Sequence, residues 1–167
     1  MARNNAWANR RLHEAVAKLP DAEFKKPREA FFPSIRETLN HILEVDIYYI
    51  DAAHGNTRPY SAIGPVGYEQ LSELSKKQFA SDERLIRFCD NATDETLSGK
   101  VETDRGERGV VEEFLGDLLM HLFQHQVHHR GQVHNMLSQT DVKPPQLDDF
   151  FLEFERHEDA ALRLQTL

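Results

Sequence analysis

Hydrophobic positions recur along this chain at helical spacing, three or four residues apart, with proline and glycine falling between the periodic stretches. The first such stretch predicts a helix from about Ala2 to Leu19, in which Trp7, Leu12, Val16 and Leu19 share a face before Pro20 ends it. A second begins at Pro33-Ser34, where Ser34 and Glu37 form a capping box. It carries Leu39, Ile42, Leu43, Ile47 and Ile50 to a stop at His54-Gly55. After a Pro/Gly-rich connection from Asn56 to Gly67, Leu71, Leu74, Phe79, Leu85, Ile86 and Phe88 predict a third helix from about Tyr68 to Cys89. Cys89 then falls in the core. From Leu97 to Val110 the pattern shortens to alternation around Asp104-Arg105-Gly106, which suits a small hairpin. A long fourth helix from about Val110 to Gln139 follows, and a last one from about Leu147 to Leu164 closes the chain. Long amphipathic helices with short connections predict an all-α helical bundle, expected as a single domain over residues 1–167.

Composition narrows the classes of function. The chain has 167 residues, 40% hydrophobic and 29% charged, enough for one real core. Its formal net charge of −8 offers no concentrated basic surface, so a nucleic acid is not an expected partner. No run approaches the roughly 18 apolar residues of a membrane span, so no membrane partner is expected. One cysteine excludes an internal disulfide, and the first residues lack the apolar core of a signal peptide, which makes a reducing cytoplasm the expected location.

Five of the nine histidines lie between His121 and His134. Residues four apart stack on one helix face, which joins His121 to His125 and His125 to His129. The aliphatic stripe of this helix, Val111, Phe114, Leu115, Leu118, Leu119, Leu122, Val133, Met136 and Leu137, projects forward onto His125 and His129, with His121 and His128 on its flank. Unpaired buried imidazoles are costly, and a shared cation removes that cost. The alternative is a pair of satisfied core histidines. Outside the cluster stand His13, His41, His54 and His157, and His41 alone lies mid-helix in a strongly apolar segment. His41 is therefore the candidate third ligand, although it projects away from the main stripe of its helix, beside Val45 and Tyr48, as an ordinary surface or core histidine also would.

Metal-bound imidazoles are oriented through their other ring nitrogen, and Asp46, Glu44 and Gln132 are the nearest candidates for that task. Asp46 falls on the aliphatic stripe, where a carboxylate needs a histidine or arginine partner. Arg130 projects off its stripe and reads as a surface or interface residue, while Trp7 and the ten phenylalanines read as core. His121, His128, Glu44 and Asp46 remain alternatives for a fourth ligand.

Together, Asn5-Ala-Trp7-Ala-Asn-Arg-Arg-Leu12, Leu39-Asn-His41-Ile-Leu-Glu-Val-Asp46, Arg105-Gly106-Glu107-Arg108, His125-Gln-Val-His128-His129-Arg130-Gly131-Gln132-Val133 and Lys143-Pro-Pro-Gln-Leu-Asp148 resemble the DinB/YfiT-like family, in its DinB branch. The resemblance implies an up-down-down-up four-helix bundle with an extra C-terminal helix, often a homodimer, holding zinc or nickel on His41, His125 and His129. Some relatives look like transferases dependent on low-molecular-weight bacterial thiols and others like metal-dependent hydrolases acting on small molecules. Three neutral imidazoles leave a divalent ion with an open position, which suits either reaction by activating a thiol or a water. The rival expectation is a non-enzymatic dimeric bundle in a stress response, with a structural metal. The family's damage-inducible name suggests DNA repair, which the acidic charge balance opposes.

Overall fold

A computed structural model describes residues 1–59, 67–154 and 156–165. Its order is α1 (Ala2–Val16), α2 (Asp21–Lys25), α3 (Ile35–Ala53), α4 (Leu71–Asn91), α5 (Asp94–Ser98), β1 (Lys100–Asp104), β2 (Val110–Phe114), α6 (Leu115–Leu137) and α7 (Glu158–Gln165), with a 3-10 turn at Gly106–Arg108. At the start of α3 the Ser34 hydroxyl accepts from the Glu37 backbone N–H at 3.1 Å and donates to the Glu37 carboxylate at 2.8 Å. One of the orphan donors of the first turn is thereby satisfied. The helix ends at His54, and Gly55 turns the chain with φ of 77°, a conformation that costs glycine little. No helix among the described residues is long and apolar enough to cross a membrane.

Helix α1 packs on α4 and α6, and α3 packs on the same two helices, so the four long helices close a ring. Two apolar layers fill it. One gathers Leu12, Val16, Ile35, Leu39, Leu43, Leu74, Val133 and Leu137, the other Tyr48, Ile50, Leu85, Leu115, Leu118 and Leu122. The order of residues through these layers gives the directions: α1 and α6 run from the second layer to the first, and α3 and α4 run the opposite way. On every one of the four helices buried polar residues separate the layers: Asn5 and Asn9 on α1, Asp46 on α3, Gln78 and Asp82 on α4, Gln126 and Arg130 on α6. A third apolar cluster pins the C-terminal segment to α1 through Trp7, Ala8, Phe150 and Ala160.

The hairpin is present but displaced from its expected place. Lys100–Asp104 pairs antiparallel with Val110–Phe114, which takes five residues from the start of the expected fourth helix. Val111 and Phe114 therefore belong to a strand, and Phe114 is exposed. Helix α1 stops at Val16, three residues before Leu19, and α4 is shifted to Leu71–Asn91. The expected helix from Leu147 to Leu164 shrinks to Glu158–Gln165. Its first half is irregular, because Phe150 is drawn into the Trp7 cluster and needs no helical face to be buried. The middle of the connection from Asn56 to Gly67, residues 60–66, lies outside the described residues. Cys89 is half-buried against the second apolar layer.

Candidate metal centre

Direct packing of α3 against α6 brings His41 to face His125 and His129. One ligand atom from each of the three lies within 4.8 Å of the others. His41 Nε2 and His125 Nε2 are 3.0 Å apart, and the three rings are in mutual contact, with centroid separations of 4.9 Å (His41–His125), 4.7 Å (His41–His129) and 4.3 Å (His125–His129). The i, i+4 spacing explains the second pair, since both imidazoles leave one face of α6. His129 is buried, and His41 and His125 are half-buried.

Burial keeps these rings neutral. It pulls His41 down to about 4, helped by His129, and His125 down to about 3, helped by His129 and His41. His129 is lowered for the same reason, against the pull of Gln132. Neutral imidazoles keep the lone pairs that a metal needs. Two nitrogens on one tetrahedral zinc, each about 2.0–2.1 Å from it, stand roughly 3.3 Å apart, and the 3.0 Å between His41 and His125 is close to that. His125 Nδ1 is buried without a hydrogen-bond partner, while the ring's Nε2 meets His41 Nε2 at 3.0 Å. The three residues fit a borderline-soft divalent ion, and no other such group occurs among the described residues.

Of the residues expected to orient the imidazoles, Gln132 does so directly: its Oε1 is 2.8 Å from His129 Nδ1, which leaves His129 Nε2 free. Glu44 Oε2 lies 4.0 Å from His41 Nδ1, with Oε1 buried and unpartnered and the carboxyl pushed up by burial. Asp46 is not among the groups on the imidazoles. It is buried in the polar layer, where Gln78 Nε2 donates to it at 2.7 Å and Gln126 and Arg130 lie close. Arg130 is not a surface residue but is 5% exposed, because the buried face of α6 continues from Leu122 through Gln126, His129 and Arg130 to Val133. Periodicity counted from aliphatic residues alone misplaces the middle of that face. His121 rests against Tyr49 and His128 is exposed, so neither joins the cluster.

One residue of the site had no signal in its pattern. Phe32, just before α3, stacks on His41 with a centroid distance of 4.3 Å and reaches His129 at 5.6 Å. It is half-buried rather than core, and Phe31, Phe151 and Phe154 are exposed outright. A cavity of about 370 Å³ opens beside His41, lined by Phe32, Arg36, Glu37, Asn40 and Glu44. Asn40 ties its wall together by bonding the Tyr68 backbone in both directions, at 3.2 and 3.0 Å.

A ring of four antiparallel and parallel helices carrying three convergent imidazoles, two from one helix and one from its neighbour, defines a class of helical proteins with a histidine centre. The family model described as "DinB family" matches residues 1–160, and the chain belongs to that family. It is similar to Protein DinB of Bacillus subtilis (strain 168), with 25% identity over 142 residues and 81% of each chain covered. A DinB-like protein from Bacillus cereus ATCC 10987 has a similar fold, with a TM-score of 0.64 at 16% identity, covering 84% of this chain and 90% of that one.

Proposed function

We propose that this protein is a metal-dependent enzyme that activates a thiol or a water against a small molecule, with the ion held by His41, His125 and His129. The observation that carries the reading is the convergence of three neutral imidazoles beside an open cavity, with three rather than four candidate ligands among the described residues. That donor set is the pattern of catalytic sites, whereas structural zinc takes four protein ligands. Zinc or nickel suits three imidazoles, and when bound it supplies a Lewis acid that acidifies a thiol or a water. Gln132 orients His129, and Glu44 faces the outer nitrogen of His41. Phe32 closes one side of the centre and leaves the 370 Å³ cavity as the approach for a small substrate. Of the two chemistries, thiol transfer is the one we favour, because a borderline-soft ion on nitrogen ligands binds sulfur well.

Metal content measured by mass spectrometry on untagged protein tests the centre. Wild type is expected to carry close to one divalent ion per chain and His125→Ala none, with the helical circular dichroism retained. Turnover of small electrophiles only when a thiol is added would support transfer, and turnover without thiol would replace it with hydrolysis. Metal-free wild-type protein, or full metal in His125→Ala, overturns the assignment.

A further inference from the structure

Each α6 imidazole of the centre is followed by a residue that points into the bundle. Gln126 follows His125 and is 0% exposed, and Arg130 follows His129. Successive residues on a helix are turned by about 100°, so whatever holds Gln126 and Arg130 toward the axis also fixes where His125 and His129 point. Arg130 is held by three acceptors, and Gln126 is held through Arg130. Arg130 Nη1 donates to Asn5 Oδ1, to Asn9 Oδ1 at 2.9 Å and to Gln126 Oε1 at 3.1 Å. The two asparagines donate in turn to Asp82 Oδ1 on α4, at 3.2 and 2.9 Å. Gln78, one turn before Asp82, reaches Asp46 on α3. A single layer thus links all four long helices at the level where the apolar layers part.

Such a layer is not explained by stability. Burying two carboxyl groups and a guanidinium carries a desolvation penalty whether or not each is ionised, and well-packed apolar residues in their place are often neutral or stabilising. What directional hydrogen bonds add, and apolar packing does not, is a unique rotation and register. We propose that this buried polar layer positions the three-histidine centre: Arg130 and Gln126, tied to α1 by Asn5 and Asn9 and through them to Asp82, fix the rotation of α6 so that His125 and His129 converge on His41. The role rests on the metal reading above, and it accounts for the arginine in the His128-His129-Arg130-Gly131-Gln132 run, which no contact with the imidazoles explains.

Cobalt(II) binding by the whole chain tests this, read as a dissociation constant and as the visible absorption band, which reports coordination geometry. Two variants are compared with wild type. Arg130→Met/Asp82→Asn removes the guanidinium and the carboxyl group at the two ends of the asparagine bridge, and Arg130→Lys keeps the charge but not the guanidinium fork. Phe150→Leu, in the C-terminal cluster, controls for general destabilisation. Both layer variants are expected to bind cobalt about 10-fold or more weakly, in line with other residues that support ligands indirectly, and with a shifted band. The control should match wild type in both. Unchanged affinity and band in the folded layer variants, or equal losses in Phe150→Leu, overturn the positioning role while leaving the centre intact. If the double variant fails to fold, Arg130→Lys alone decides. Wild type that takes up no cobalt fails the metal reading itself.

Discussion

Gln132 holds two histidines at once. Its carbonyl takes the Nδ1 proton of His129 at 2.8 Å, and its amide nitrogen is 3.1 Å from His128 Nε2. The first contact selects the His129 tautomer with a free Nε2, the nitrogen that can face a metal. The second only ties down an exposed ring. Gln132→Leu should therefore keep the fold and weaken zinc binding about 10-fold, measured by competition with a chromophoric chelator. An unchanged constant would mean that His129 needs no such support. His128→Ala should leave the zinc stoichiometry at wild-type level. A loss matching that of His129→Ala would move the ligand to His128.

Helix α3 presents His41 to α6, and the Ser34 cap anchors its first turn. Ser34→Ala should lower the unfolding free energy by about 1 kcal/mol, as loss of a side-chain cap commonly does. A shift in urea midpoint would report it, and coincident curves would show that tertiary packing alone holds this end. This element was legible because cap, stripe and glycine stop agree along it. The start of α6 was not: Val110–Phe114 can continue a helical stripe or pair as a strand, and only Lys100–Asp104 across from it decides. Within α6 the His125/His129 pair was readable from i, i+4 spacing, but Gln126 and Arg130 hid the centre of the buried face by being polar. The partners of Arg130, Asn5 and Asn9, lie 125 and 121 residues away along the chain, so no local pattern joins them. Phe32 escaped for the same reason, since its contact with His41 depends on how the residues before α3 turn back onto the site.

Across the whole molecule, two buried sets of groups titrate in opposite directions. The site imidazoles are held below their ordinary 6.5, His41 at about 4 and His125 at about 3 by burial first and neighbouring rings second. An unfolded chain takes up protons there before the folded one does, so their contribution is complete above pH 6.5 and is lost as the pH falls toward 4 and below. Asp82 behaves inversely. Burial, then the facing Asp46 carboxylate, pushes it from 3.8 to about 8, against the pull of Asn9, Gln78 and Arg130. The folded state then holds a proton that the unfolded state releases, so this contribution is complete below 3.8 and declines as the pH rises to about 8. Asp46 adds to the same decline over a narrower range, from 3.8 to about 6. Metal-free protein should consequently be most stable at intermediate pH. Asp82→Asn cannot release a proton and should gain on wild type steadily from pH 4 to 8, while both keep the same acid limb set by the site imidazoles and by His13, which burial also pulls down to about 4. Urea unfolding in EDTA across that range reads the difference directly. A constant offset between the two curves would mean that Asp82 is ionised in the folded core at neutral pH, compensated by Arg130, and that the layer carries two negative charges instead of one.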